Sequence, residues 1–323
     1  MNAHLRAATA LSWVLAAPLA LAAPPDTQHA SPDFTGPLVT PAVNTMPAGM
    51  LNIEPYLIHT NTRGSYDNDG RRREQHAMYR QWQVAVPVTY GLTDSSAVQV
   101  TLNASRTSGA GRHTDGLRMG DTVVRVQQRL RAPAADGTGL ILALALAQRL
   151  PTGSFQRLDN NPLNATGNGA ARTTVSLGAQ QLHWLANDHA VRWRGQLAWS
   201  PSPGHVRVRD SSVYATDSGF RGFARPGQAW NATLAAEYVL DRRWVLVGEA
   251  IWNRAGAVAV AGHDEHGRNV RHRVPAGHDI SLAPAVEYHL SPTMGLIAGV
   301  QFTVAGRNAG DYVAPQAALN MVF

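Results

Sequence analysis

The sequence predicts an all-β protein: a transmembrane antiparallel up-and-down β-barrel of about twelve strands. Three observations carry that expectation. Polar and apolar side chains alternate within successive segments of about 10 to 14 residues. The breaks between segments are short and long in turn, and aromatic residues recur eight positions apart on the apolar face of a segment.

Taken in order, residues 1–22 read as a signal peptide. Arg6 supplies a basic start, Leu11 to Leu21 an apolar stretch, and Ala20-Leu21-Ala22 a small-residue cleavage site. The apolar stretch is too short for a membrane anchor, and Pro18 interrupts it. Residues 23–48, rich in Pro, Ser and Thr without periodicity, read as a flexible N-terminal lead-in. Residues 49–323 then form the predicted barrel. Its twelve segments begin near Met50, Met78, Ser96, Arg118, Gly139, Ala171, His189, Gln228, Arg243, Gly277, Thr293 and Gly310. No stretch sustains helical periodicity.

Short breaks follow the even-numbered segments: Gly91 to Asp94, Pro133 to Thr138, Ala186 to Asp188, Asp241-Arg242 and Ser291-Pro292. Long ones follow the odd-numbered segments, at 63–77, 107–117, 151–170, 201–227 and 255–276, with a shorter one near 306–309. Antiparallel strands that cross a membrane produce this asymmetry, with tight periplasmic turns and large outer loops. An even strand number puts both ends of the barrel on the periplasmic side.

Alternation within segments tests the expectation. In the ninth, Trp244, Leu246, Gly248, Ala250 and Trp252 share one face, and Val245, Val247, Glu249, Ile251 and Asn253 the other. Eight residues of strand span roughly 26 Å, and tilt reduces this to about 20 Å along the membrane normal, near the height of the apolar band. The eighth repeats the pattern with Trp230, Leu234 and Tyr238 outward, the second with Trp82, Val84, Val86, Val88 and Tyr90. At the end of the chain Leu319, Met321 and Phe323 share a face. A terminal aromatic strand of this form resembles the signal read by the barrel-assembly machinery, so that machinery and outer-membrane lipid are expected partners. A bacterial outer-membrane location follows.

Composition removes other classes. The 323 residues include 28 basic side chains, all Arg, against 22 acids, and no cysteine. There is therefore no disulfide framework, thiolate nucleophile or Cys-based zinc site. The arginines are scattered along the sequence, which argues against nucleic acid as a partner.

Three motifs point to a family. Tyr90-Gly91-Leu92-Thr93-Asp94, Gln148-Arg149-Leu150-Pro151-Thr152-Gly153 and Glu287-Tyr288-His289-Leu290-Ser291-Pro292 resemble recurrent hairpin motifs of the outer-membrane transporters associated with the meta-pathway of phenol degradation. The resemblance covers about 50–323. It implies passage of small solutes, often aromatic or hydrophobic, and carries no catalytic residues.

A twelve-stranded barrel leaves room for a narrow lumen, so inward residues decide what passes. By alternation the candidate pore-lining residues are Arg125 and Arg129 on the fourth strand, Arg149 on the fifth, Arg172 on the sixth, and Arg192 and Arg194 on the seventh. The acids are Glu54, Glu237, Glu249 and Glu287, on the first, eighth, ninth and tenth. The signs segregate by strand, which predicts opposed walls of charge and a transverse field. In that reading Arg129, Arg192 and Arg194 face Glu237 and Glu287 across a periplasmic constriction. The competing reading is that the charges pair and plug the lumen.

The 255–276 break and the strand after it hold His263, Asp264, Glu265, His266, His272 and His278, but their spacing matches no specific metal site, so no metal or other cofactor is expected. The 201–227 loop, with Tyr214, Phe220, Phe223, Arg221 and Arg225, is long enough to act as a lid or contact a ligand. The rival functions are a structural or adhesive barrel that presents surface loops and an outer-membrane hydrolase. For the hydrolase, His289-x-Ser291 lies at a periplasmic turn and His29-x-Ser31 in the lead-in, and nucleophile-elbow and His-Glu-x-x-His motifs are absent. The expected function is a non-enzymatic channel for small molecules.

Overall fold

Every buried donor and acceptor of a backbone in lipid needs a partner, and a closed ring of antiparallel strands supplies them all. The computed structural model of the chain describes residues 32–134, 137–158 and 160–323, the side chains of 75–77 apart. Twelve strands among them form such a ring: β1 Tyr56–Tyr66, β2 Arg72–Thr93, β3 Ser96–Gly109, β4 Thr122–Arg131, β5 Gly139–Leu150 and β6 Arg172–Trp184, then β7 Ala190–Ser200, β8 Ala229–Val239, β9 Trp244–Ala255, β10 Gly277–Leu282 with Ala285–Ser291, β11 Met294–Arg307 and β12 Ala309–Val322. Each pairs with its neighbours in sequence, and β12 closes on β1 through Tyr56↔Ala318, Leu57↔Ala317 and Ile58↔Gln316. At the periplasmic end Leu51–Ile53 sits between β2 and β12, and the Leu51 and Phe323 backbones exchange hydrogen bonds of 3.0 and 2.8 Å. The predicted signal peptide, 1–22, and the first residues of the lead-in lie outside the described residues.

The ring is apolar outside and polar inside, the reverse of a soluble domain. Leu102, Leu146, Leu177, Leu197 and Leu234 are exposed on it, whereas Gln127, Ser176, Gln180, Thr233, Glu237, Glu249 and Glu287 are buried. Aromatic side chains gather at both rims. Trp244 and Tyr288 pack 4.6 Å apart, and Tyr238 stacks on His189, at the periplasmic end, while Trp199 and Trp230 lie 6.1 Å apart at the outer end. This is the architecture of a bacterial outer-membrane barrel.

The outer breaks differ from the sequence expectation in two ways. The first is a tight turn, 67–71, because β1 and β2 continue above the membrane; Arg63 and Arg72 clamp the buried Asp311 there at 3.0 and 2.5 Å. The 201–227 and 255–276 loops build a second, four-stranded sheet, ordered Val206–Arg209, Arg221–Arg225, Val258–His263 and Asn269–Val274. Val206, Val208, Phe220, Ala224 and Val260 form its core, with Ala170 and Phe155 from the neighbouring 151–171 break. Alternating valines at 206/208 and 258/260 were a strand signal within stretches read as breaks.

Candidate functional site

The lumen is not empty. Residues 34–48, within the stretch expected to be a flexible lead-in, run along the inner wall as a strap. The physical reason lies in the wall itself. Inward Glu237, Glu249 and Glu287 are buried, and buried carboxylates require donors. The strap has little regular structure, so its backbone N–H groups are free to serve. Thr35 N–H donates to Glu287 Oε2 at 2.7 Å. Glu249 accepts from Val39 N–H at 3.1 Å, Thr40 N–H at 2.7 Å and Thr40 Oγ1 at 2.8 Å. Gln127 Nε2 donates to the Val43 carbonyl at 2.8 Å and Arg129 to Asn44 Oδ1 at 2.7 Å. Leu38 packs with Val245, Val247, Ala285 and Ile297, and Val43 with Ile141 and Ala143.

Two of the three family-like motifs hold this strap. Thr45 Oγ1 donates to the Asp94 carbonyl and Ala48 N–H to Asp94 Oδ1, at 2.8 and 3.1 Å, so the Tyr90–Asp94 turn anchors its exit. Gly91 leaves room for it: a Cβ there would lie 1.9 Å from the Pro47 carbonyl oxygen. Glu287, of the third motif, receives Thr35. The Pro-Thr-Gly motif instead ties down the 151–171 break, where Gly153 N–H donates to Asp121 Oδ1 at 3.0 Å.

The charged residues do not stand on opposed walls as expected. Arg192 and Glu237 are register partners on adjacent strands, β7 and β8. Arg192 Nε donates to Glu237 Oε2 at 2.6 Å and its Nη2 to Oε1, while Arg194 Nη2 lies 3.6 Å from the same carboxylate. Sign segregation by strand overlooked this boundary, where the two blocks touch. Arg194 Nη1 also reaches the Thr40 carbonyl at 3.5 Å, and the Arg192 guanidinium lies 3.6 Å above the Phe34 ring. Arg129 bonds the strap rather than a glutamate. Here the pairing-and-plugging alternative describes the geometry better than the open field.

Two cavities open within the barrel; they share no lining residue, and only the first is lined by the strap. The periplasmic one, about 570 Å³, is lined by strap residues, Glu54, Arg125, Gln99, Gln180 and Arg194. Arg125 faces it without a side-chain partner among the described residues. The outer one, about 810 Å³, is lined by Arg149, Arg172, Gln196, Asn231, Asn253 and Asp279, with Tyr214 and Val258 from the loops above. Arg172 Nη2 donates to the Gly227 carbonyl at 3.0 Å. Arg194 and Gln196, successive inward residues of β7, line different cavities, and Thr40 is buried between Arg194 and Glu249 beside the first of them.

In the histidine-rich stretch the contacts are local hydrogen bonds. No group of three or more metal-ligating side chains occurs among the described residues. Asp264 instead accepts from His266 N–H, Arg268 N–H and Arg268 Nε, and His272 Nε2 lies 2.9 Å from the Tyr214 carbonyl. Sequence reasoning missed Thr35, Leu38, Val39, Thr40, Val43 and Gln127. The usable signal was the number of inward carboxylates lacking a local donor.

No protein-family model matches the chain, nor does the sequence of any curated protein. Its fold does match solved structures. An outer-membrane channel from Pseudomonas putida F1 superposes with a TM-score of 0.63 at 18% identity, over 87% of this chain and 98% of that one. The NanC porin matches with a TM-score of 0.37 at 9% identity, over 84% of this chain and 98% of that one. The TodX deltaS2 mutant, a monoaromatic hydrocarbon channel, matches with a TM-score of 0.36 at 11% identity, over 86% and 90%. The first match shows the class the chain shares in fold: the closed outer-membrane β-barrel.

Proposed function

We propose that this protein is an outer-membrane channel for passive passage of small molecules, with the 34–48 strap setting what passes. One observation carries the reading: a polar lumen holds two cavities, of about 570 and 810 Å³, and the strap lines the first of them. A barrel that served only to present loops would need neither. The ten inward charges divide the work. Glu249, Glu287, Arg129, Arg192 and Arg194 hold the strap and Glu237 pairs with the last two, while Glu54, Arg125, Arg149 and Arg172 line the spaces a solute occupies.

The family resemblance extends the reading to aromatic or hydrophobic solutes. The periplasmic cavity supports it by mixing Tyr56, Ile58 and Ala85 with Arg125 and Gln99, a lining suited to a flat apolar body with one polar group. Assembly is assigned to the barrel-assembly machinery through the terminal strand, whose Phe323 is 66% exposed.

Planar-bilayer conductance of the refolded barrel tests the proposal. Deleting residues 34–48 is expected to raise single-channel conductance several-fold and widen the solute range in liposome swelling. Equal conductance with and without the strap overturns it.

A further inference from the structure

The outer sheet has two faces, and only one packs. Its core face, with Val208, Ala224 and Val260, rests on Ala170 and Phe155. The opposite face carries Arg207, Arg209, Arg221, Arg225, Arg271 and Arg273, all exposed. Register places Arg209 beside Arg221, Arg207 beside Phe223, Ala261 beside Arg271 and Ala259 beside Arg273. Four strands spread these six guanidinium groups over about 14 Å. No acidic side chain alternates onto this face, and none of the six has a side-chain partner among the described residues. Like charges directly opposite one another destabilise a sheet, so the arrangement favours a polyanion that neutralises it.

A groove of about 430 Å³ opens there, lined by Arg157, Arg207, Arg209, Arg221, Asp210 and Phe223. Its one carboxylate is engaged already: Asp210 accepts from Gly219 N–H at 3.3 Å and lies 3.7 Å from Arg157 Nε. The groove shares no residue with the outer lumen cavity, so it does not feed the channel.

We propose that this face docks the phosphorylated sugar head group of outer-leaflet lipopolysaccharide. Height selects a lipid over a soluble anion. Arg225 lies five residues above Trp230 of the outer aromatic rim, at most about 16 Å of strand, which places the face level with lipid head groups. Spacing agrees, because a broad array fits several phosphates held in one lipid surface better than a single small ion. Arginine suits the task, since its planar fork bonds phosphate oxygens in pairs. The proposal rests on the outer-membrane placement and not on solute passage.

The test uses the full refolded chain in detergent micelles and native mass spectrometry, titrating bisphosphorylated lipid A and its dephosphorylated form. The wild type is expected to hold the bisphosphorylated lipid at least tenfold more tightly. The triple variant Arg207→Gln/Arg209→Gln/Arg221→Gln loses that preference, and Lys at the same positions restores part of it. Conductance of the triple variant stays at the wild-type value, which separates this result from the fate of the channel reading. Unchanged lipid preference in the triple variant overturns the proposal. So does displacement of the lipid by submillimolar pyrophosphate, which would mark a site for soluble phosphates. If the triple variant does not reach the heat-modifiable barrel form, Arg271→Gln/Arg273→Gln replaces it: loss of the preference supports the proposal, and an unchanged preference overturns it.

Discussion

The periplasmic half of the lumen and the outer face of the loop sheet both carry arginine outside the hydrocarbon layer, and they treat it differently. In the lumen Arg192 and Arg194 are almost fully buried, and each meets Glu237. On the outer sheet six arginines are exposed, and none has a side-chain partner among the described residues. Desolvation explains the contrast. A guanidinium removed from water needs a matched carboxylate, while one left in water does not. The same residue type is thus structural at one site and available at the other, and exposure decides which. Arg125 falls between the two: it faces the inner cavity, where a solute can take its donors.

The sharpest way to break that contrast is to remove the shared carboxylate. Glu237→Ala removes the carboxylate that two buried guanidinium groups share, and the expected loss is about 3–5 kcal/mol. Guanidinium unfolding of the refolded barrel measures it. The double variant Glu237→Ala/Arg192→Ala should lose less than the sum of its parts, since the two changes share one interaction. A loss below about 1 kcal/mol, the value of a surface pair, would place Arg192 and Arg194 in the same solvated category as the outer arginines.

A smaller effect is expected where the charge binds the strap and not another side chain. Glu249→Ala strands the Val39 and Thr40 donors, at about 1–3 kcal/mol, while the barrel wall keeps its own hydrogen bonds. The cost should fall on strap docking. Because the chain has no cysteine, Leu38→Cys introduces a unique buried thiol. Its labelling by a maleimide is expected to accelerate roughly tenfold in the Glu249→Ala background, the ratio that corresponds to 1.4 kcal/mol. An unchanged rate would mean that the other strap contacts, from Thr35, Val43 and Thr45, hold it without Glu249.

These two sites also show how much could be read in advance. Inward and outward assignment needs only the two-residue period and a few aromatic markers, so Trp244, Leu246 and Glu249 were placed from the sequence alone. Pairing between strands needs register. Arg192 and Glu237 are 45 positions apart, and without knowing that β7 abuts β8 at that level their charges look like parts of separate walls. The strap was harder to read. It has no period, because its hydrogen bonds go to side chains of the wall instead of to a neighbouring strand. Pro37, Pro41 and Pro47, the signs that made it resemble a linker, also prevent it from joining the sheet. The loop sheet was legible in part, since its valine alternation is visible but interrupted by Pro203, Gly219 and Gly227.

The smallest expected effect lies at the 67–71 turn, an exposed site where charge is nevertheless partnered. Asp67 Oδ1 accepts from the Arg71 and Asp69 N–H groups, both at 2.9 Å, and Oδ2 from Arg73 Nε at 2.9 Å. The Arg71 N–H, foremost, holds the carboxyl below the usual aspartate range; slight desolvation opposes this, and Asp69 N–H and Arg73 reinforce it. A depressed folded value means the turn is supported at neutral pH and loses that support only as pH falls through the folded pKa, below the ordinary value of about 3.9. Amide exchange at Gly70 and Arg71 should therefore show flat protection from pH 7 to about pH 4. Protection should then decline further into acid. Asp67→Asn keeps an acceptor oxygen but cannot carry the charge, so it should show modestly lower protection at neutral pH and no acid-dependent loss. If the variant and the wild type give the same profile, the geometry of Gly70, at φ 77°, sets the turn, and the carboxylate adds nothing to it.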